Sequence, residues 1–476
     1  MTAHEHASKV VQHLDVSHGL IYLAGTPSIT SEDSDQPIPF KQRRYFFYVS
    51  GADFEDCSLI YDMETEKLTL FIPRPVPSKV IWMGPTPSAE QCKAKYDVDE
   101  VKYNDEIKDY VNSWREAHPF RHQVGKAMSK IYALHKDGDH VPPGLGPNDK
   151  DLDTESLISA MDNARTIKSK YEITLIKKAN DISSAAHRKV LECLHEATNE
   201  THIDSIFQSA CIWAGAKKQA YGVIAAAGSN ASVLHYIKND DDLVGREMIC
   251  LDAGCEWENY ASDVTRTFPI SGTFSKEAAA IYSIVEEMQS RCIEAIKPGT
   301  KFWDIQQLAV DVASNGLRRL GILINGTEDE HKNIVKAFFP HGLGHHIGLE
   351  CHDVSPTKSL LSILSHNQLC HKPSSQINST ITDDPNHHPV LEPGMVITVE
   401  PGIYFNPYAL NPLRECAEKA KFVNWEVLAR YIKVGGVRIE DDLVVTEKGY
   451  ENLTAAPKGE AACEIIRKGR AAAARV

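Results

Sequence analysis

The stretch ICLDAGCEWENYASDVTRT, residues 249–267, decides the architecture of the C-terminal half. An apolar run at 248–251 leads into Asp252, a polar turn with Gly254 follows, and a second extended segment at 259–268 carries Asp263. That pattern predicts a hairpin. Same-face neighbours on antiparallel strands lie close enough to share an ion, so the hairpin is expected to set the two carboxylates, eleven residues apart, opposite each other. Two carboxylates held that close repel strongly unless a cation lies between them, and a metal is the simplest such cation.

Three later stretches supply what two aspartates cannot. HGLGHHIGLECHD at 341–353 offers His341, His345, His346 and His352; TVEPGIY at 398–404 offers Glu400; GGVRIEDD at 435–442 offers Arg438 and Glu440. Each carboxylate sits at the end of, or inside, a β-branched run, where burial without a partner costs several kcal/mol. Four carboxylates with a minority of imidazole make a mostly oxygen donor set. Such a set favours a pair of Mn, Co or Zn ions over a structural zinc site built from cysteine and histidine.

In this order, LDAGCEWENYASDVTRTFP, HGLGHHIGLECHD, VEPGIY and VRIEDD resemble the proline-specific metallopeptidases of the pita-bread fold, the Xaa-Pro aminopeptidases and prolidases. RRYFFYVSGADFEDCSLIYDMETEKLTLFIPRP at 43–75 and WMGPTPS at 82–88 are similar to the N-terminal domain of the eukaryotic prolidase branch, so the resemblance spans roughly residues 40–460. It implies an α/β (α+β) chain, with an N-terminal creatinase-like α/β domain at 1–160 for substrate access and dimerisation. A pita-bread catalytic domain at 161–476 would follow.

Carried over position by position, the resemblance makes Asp252, Asp263, His345, Glu400 and Glu440 the ligands of two Mn²⁺ ions, with Co²⁺ or Zn²⁺ as substitutes. His235, His341, His352 and Arg438 become the surrounding substrate and catalytic groups. The implied reaction is hydrolysis, by a metal-bridged hydroxide, of the bond between an N-terminal residue and a penultimate proline. Glu400 would accept the proton and later donate it, and His341 and His352 would bond the carbonyl or developing oxyanion. Small peptides with proline at position two are the implied partners, and a homodimer is the implied assembly, its N-terminal domains reaching the partner's active-site rim. Cys351 stands where the family usually has Val or Ile, read as an apolar-for-apolar exchange. His346 also replaces a more usual apolar residue.

Other relatives fit less well. Methionine aminopeptidases share the ligand set but not the 341–353 spacing or a large N-terminal domain, and the creatine-hydrolysing relatives lose the metal carboxylates. A catalytically silent binding protein on the same fold would show substitutions among the five ligands, and this chain has none.

Composition agrees with a large enzyme. A chain of 476 residues exceeds what one core accommodates, so two domains are expected. The net charge of -14 argues against a nucleic-acid partner, which asks for a basic face. MTAHEHASKVV has no apolar signal core and no run approaches membrane-spanning length, so neither secretion nor a membrane is expected. Eleven cysteines without close pairing read as reduced thiols of a cytoplasmic protein, and neither Cys250 nor Cys255, flanking Asp252, is read as a ligand.

Along the chain, a helix is expected over 6–20, a loop at 26–39, and then strands YFFYVSG, CSLIYD and KLTLFIP, with helical spacing in AEQCKAKY and DEIKDYVNSW. A linker lies at 138–156. Ser169 with Glu172 forms a capping-box signature for a long helix, a second helix begins near Thr201, and two more run over 275–296 and 302–320, the latter capped by Thr300. Alternating helices and strand pairs suggest two αββ-type halves around a concave sheet. The interval 354–390 is long for a compact connection, reads mainly as exposed loop with surface histidines His366, His371, His387 and His388, and contains SLLSILS as a short helix. In the prolidase branch an arginine ahead of the LEPGM segment grips a dipeptide's carboxylate. Between Asp353 and Val399 this chain has no arginine, only Lys358 and Lys372, which favours an aminopeptidase over a strict Xaa-Pro dipeptidase.

Overall fold

The computed structural model describes residues 3–118, 130–354 and 389–474. Two compact units divide the chain at Met1–Thr166 and Ile167–Val476. The expected helix SLLSILS, the four histidines at 366–388, Lys358 and Lys372 lie outside the described residues.

In the first unit the strands are β1 (Gly19–Ala24), β2 (Ser58–Asp62), β3 (Lys67–Ile72), β4 (Glu100–Tyr103), β5 (Lys130–Tyr132) and β6 (Leu152–Asp153). They form one mixed sheet in the order β4-β3-β2-β1-β5-β6, antiparallel between β1, β2 and β3 and parallel outside them. Its helices are α1 (Ala3–Leu14), α2 (Arg44–Ser50), α3 (Pro77–Met83), α4 (Ala89–Lys95), α5 (Ile107–Ala117) and α6 (Ser156–Thr166). One face of α5 packs Ile107, Val111 and Trp114 onto Leu20, Tyr22, Ile60 and Phe71 of the sheet. Spacings of three and four put these three side chains on one stripe of a helix.

The segment YFFYVSG is a correction to the sequence reading: it is helix α2, not a strand. Phe46, Val49 and Ser50 are buried at helical spacing, and Gly51 ends the helix at φ 65°, its N–H bonding Phe47 O. A run of aromatics has strand propensity, but propensity yields to packing when helical spacing also buries the run. Arg44 and Phe46 are buried here, so residues 43–46 form no basic surface patch. The segment 26–39 is irregular, with one isolated bridge between Thr30 and Pro37.

The second unit opens with α7 (Lys170–Cys193), whose capping box is the one expected: Ser169 Oγ accepts from Glu172 N–H, and the Glu172 carboxylate accepts from Ser169 N–H. α8 (Glu200–Trp213) packs beside it, and α9 (Lys276–Glu294) and α10 (Phe302–Arg319) form the second helix pair. Thr300 does not cap α10; the cap position is Lys301, with no side-chain bond. Strands β7 (Lys218–Gln219), β8 (Ile224–Ala227), β9 (Met248–Asp252), β10 (Cys255–Trp257), β11 (Tyr260–Ala261) and β12 (Thr265–Pro269) make two three-stranded sheets, β12-β9-β8 and β11-β10-β7. Strands β13 (Val396–Val399), β14 (Gly402–Tyr404), β15 (Gly436–Arg438), β16 (Asp441–Val445) and β17 (Tyr450–Asn452) make a β13-β16-β17 sheet and a β14-β15 pair. One core joins α7 and α8 to β8 and β9, and another joins α9 and α10 to β13–β16. This is the helix-pair-on-strands repetition that the alternating pattern implied.

The deciding hairpin has a different register from the one expected. β9 pairs with β12 so that Asp252 faces Thr265, not Asp263. Between them β10 and β11 turn out into their own sheet, and Asp263 lies just before β12. The detour needs Gly254: a Cβ there would sit 1.9 Å from Ser262 O, a distance no side chain tolerates. The two aspartates therefore approach from a strand end and a strand entrance.

Candidate metal centre

Asp252 ends β9, Asp263 precedes β12, Glu400 follows β13, and Glu440 lies between β15 and β16. His345 is held by the β13 side, its own N–H bonding Thr398 Oγ1 and its carbonyl accepting from Thr398 N–H. Donor atoms of Asp252, Asp263 and Glu440 converge within 4.8 Å of one another, as do those of His345, Glu400 and Glu440. All five residues expected from the sequence therefore meet in one cluster.

Long-range bonds fix their orientation. Asp252 accepts from Tyr221 Oη at 2.6 Å and from Arg438 Nη2 at 2.6 Å. Glu440 accepts from Thr265 Oγ1 at 2.5 Å. Arg266 is fully buried; its guanidinium donates to Glu440 O, Thr265 O and Ala456 O and pairs with Asp441 Oδ1 at 2.7 Å, tying β12 to the start of β16. Asp442 accepts from Asp263 N–H and from Asn180 of α7. The sequence reading missed Tyr221, Arg266, Thr265 and Asp442. Three of these lie inside or beside the quoted motifs, and a buried charge in a β-branched run was the available signal for Arg266 and Asp442.

The imidazole of His345 is presented as a ligand. Its Nδ1 bonds His346 O at 3.0 Å, so Nδ1 carries a proton and Nε2 is the ring atom turned toward the carboxylates. Nε2 lies 3.4 Å from Asp263 Oδ2 and 3.3 Å from Glu400 Oε1, is shielded from solvent, and has hydrogen-bond geometry to neither.

The electrostatics point the same way. Burial pushes Glu400 up to about 8, against the pull of His345 and with help from Asp263. Burial also drives Glu440 well above the carboxylate range, reinforced by Asp263, Glu400 and Asp252, and raises Asp252 despite Arg438. Asp263 is buried too, yet the facing His345 and the Cys351 thiol hold it below the usual range. Burial works against a charge on His345, but Asp263 and Glu400 lift it to about 9. Among the described residues, one permanent cation, Arg438, faces four carboxylates, and protons on the cluster carry the remaining balance. Divalent cations compete for those positions, so the donor set fits a metal centre.

The other expected residues divide into two groups. His235 and His352 are exposed rings 6.3 Å apart, and His352 lies 4.2 Å from His345 between ring centres. His341 turns both nitrogens into the protein: Nδ1 bonds Gly342 O at 2.8 Å and Nε2 meets Tyr404 Oη at 2.9 Å. Burial lowers it to about 3, so the ring is neutral. Arg438 is buried against Asp252, Thr265 and Tyr404. His346 is buried and, for that reason, lowered to about 3, so its ring is neutral. Cys351 departs from the apolar filler expected of it: its thiol donates to Asp263 Oδ2 at 2.8 Å. Cys250 and Cys255 turn away, the first into a small apolar cluster and the second to where its Sγ accepts from Ser183 Oγ at 3.3 Å.

A strand-framed cluster of four carboxylates and one unpartnered imidazole nitrogen defines a metallohydrolase-type site. The chain belongs to metallopeptidase family M24, whose profile matches residues 174–447; the profile described as aminopeptidase P, N-terminal domain, matches residues 4–121. It is 47% identical over 472 residues to a probable Xaa-Pro aminopeptidase of Aspergillus niger, covering 98% of this chain and 92% of that protein. Among solved structures it resembles Pseudomonas aeruginosa aminopeptidase PepP, with TM-score 0.78, 27% identity and 99% of both chains covered. Aminopeptidase P from E. coli shares the fold at TM-score 0.76 and 24% identity over 99% of each chain. The mixed α/β architecture, with a pita-bread domain following the N-terminal domain, is that of this family.

Proposed function

We propose that the chain is an Xaa-Pro aminopeptidase, a metalloexopeptidase that removes the N-terminal residue from peptides with proline at position two. Asp252, Asp263, His345, Glu400 and Glu440 would hold two divalent ions; these five ligands taken alone suit manganese, with cobalt or zinc as substitutes. The observation that carries this reading is His345 Nε2, which faces Asp263 and Glu400 with no hydrogen-bond partner inside a ring of buried carboxylates. Relatives named Xaa-Pro aminopeptidase cover almost the whole chain, which favours this activity over a strict dipeptidase or a silent binding protein.

Bound divalent ions supply Lewis-acid polarisation of the scissile carbonyl and acidification of a water. The protein's own groups do the rest. Glu400 takes a proton from the attacking water and returns it to the prolyl nitrogen as the peptide bond breaks. His352 and His235, exposed on the open side, bind the substrate carbonyl and the developing negative charge. His341, with both nitrogens committed, orients Tyr404, and Tyr404 with Arg438 holds Asp252 in place. The 1–160 region would serve substrate access and dimerisation. The ten described cysteines are all free, which supports a cytoplasmic setting. No described helix is long and apolar enough to cross a membrane.

Replacing Glu400 by Ala should lower kcat on an Xaa-Pro-Xaa tripeptide by on the order of 10²-fold or more, the scale of a lost proton-transfer group. Metal analysis of the same protein should show less than the full complement. Undiminished turnover by Glu400→Ala would sink the mechanism.

A further inference from the structure

Among the thiols that lie near the predicted ligands in sequence, Cys351 alone brings its sulfur to the carboxylate cluster. Sγ is 2.8 Å from Asp263 Oδ2, and donor atoms of Asp263, His345, Cys351 and His352 lie within 4.8 Å of one another. The other members of this group are the two residues that the proposed centre already uses on one side, Asp263 and His345. His345 contributes a buried nitrogen with no hydrogen-bond partner.

The backbone around Cys351 is built to hold that position. Gly348 N–H bonds Glu350 O, Asp353 N–H bonds His346 O, and Ala261 N–H, on the Asp263 side, bonds Gly348 O at 2.8 Å. Directly after the histidine that follows Cys351, Asp353 is locked to Lys168 at 3.0 Å with both side chains buried. The sulfur therefore sits in a fixed turn bonded to the segment that carries Asp263. An apolar side chain at this position would fill the same space with no donor.

We propose that Cys351 is a sulfur donor to the metal ion seated by Asp263 and His345, so that this half of the centre is a mixed oxygen, nitrogen and sulfur site selective for zinc or cobalt(II) over manganese. The inference rests on the metallopeptidase reading. On binding, a sulfur–metal bond forms, the S–H proton now directed at Asp263 leaves to solvent, and no oxidation state changes. Thiolate is the soft ligand in such a set, and it shifts preference from manganese toward zinc and cobalt. The same site without sulfur, made of carboxylate and imidazole, would follow the harder preference expected from the five ligands alone.

The test uses the full-length protein, stripped by chelation and reloaded with cobalt(II). Metal analysis and the visible ligand-field bands report whether cobalt occupies the centre; a sulfur-to-cobalt charge-transfer band in the near ultraviolet reports the bond to Cys351. The expected result is cobalt bound with the band present, the band lost in Cys351→Val, and a zinc-over-manganese preference in competition that falls on the order of tenfold in that variant. Cobalt bound to the wild-type protein without a charge-transfer band overturns the sulfur ligand and leaves the metallopeptidase reading standing. Failure to bind cobalt at all overturns both. The wild-type spectrum decides the question even if Cys351→Val folds poorly.

Discussion

At the scale of single residues, the centre was legible in the sequence wherever a charge stood in a run that must be buried. Asp252, Asp263, Glu400 and Glu440 all satisfy that condition, and the glycine-marked histidine segment completes the group. Residues whose partners lie far away in sequence were not legible. Arg266 answers Asp441 and Asp442 answers Asn180, pairings that depend on strand register and helix placement. His187 on α7 is another such residue: its Nε2 bonds Ala253 O at 3.0 Å, bracing the turn after Asp252, and burial lowers it to about 3. With the folded-state value below the unfolded value of about 6.5, the unfolded chain binds the proton first, so stability is lost as pH falls through the interval from about 6.5 toward 3. A Phe at position 187 removes that term. The wild-type protein should lose about 2 kcal/mol more than His187→Phe between pH 7 and pH 5, measured by urea unfolding of each at both values. Equal losses would show that the ring is not buried neutral.

At the scale of elements, long amphipathic helices with caps were readable and short apolar segments were not. α7 announces itself through Ser169 and Glu172, whereas seven residues of α2 fit helix or strand until the unit's core selects one. The β9–β12 register was hidden because the excursion through β10 and β11 changes which residues face each other, and nothing local in the sequence counts those residues. The same scale governs the 341–353 segment, which has almost no regular structure of its own and depends on ties from outside. Lys168 to Asp353 is a buried ion pair among them. Replacing Lys168 by Met removes the cation 3.0 Å from the buried Asp353 carboxylate and should cost about 3–5 kcal/mol, the scale of breaking a buried pair from one side. Hydrogen exchange should quicken at the Asp353 amide, which bonds His346 O, and at the Thr398 amide, which bonds His345 O, while α9 stays protected. Unchanged protection at both amides would mean that the ion pair does not hold the segment.

At the scale of the whole molecule, the two-part organisation followed from length and from a change of pattern near residue 160, and the structure divides at Thr166. Assembly is less direct. In α3 of the first unit Ile81, Trp82 and Met83 stand out as exposed, Trp82 by 85%, and apolar side chains grouped in that way favour a homodimer. Light scattering should then give about twice the 52.9 kDa of one chain at micromolar concentration, and a monomer mass would contradict it. Substrate length is the property that depends on the largest part of the chain, because it is set by what lies beyond the second substrate residue. A strict dipeptidase needs a cation there to hold the C-terminal carboxylate, and a bidentate arginine is the group that discriminates it from an amide. The interval from Asp353 to Val399 contains no arginine, and Arg438 is unavailable because its guanidinium is spent on Asp252, Thr265 and Tyr404. With no such clamp, Xaa-Pro-Xaa tripeptides should be cleaved at least as efficiently as Xaa-Pro dipeptides. The measurement is kcat/KM for Ala-Pro against Ala-Pro-Ala in the manganese-loaded protein. A dipeptide preference of about a hundredfold, near 2.7 kcal/mol in transition-state binding, that disappears in Lys358→Ala or Lys372→Ala would show that a lysine acts as the clamp and that the chain works as a dipeptidase.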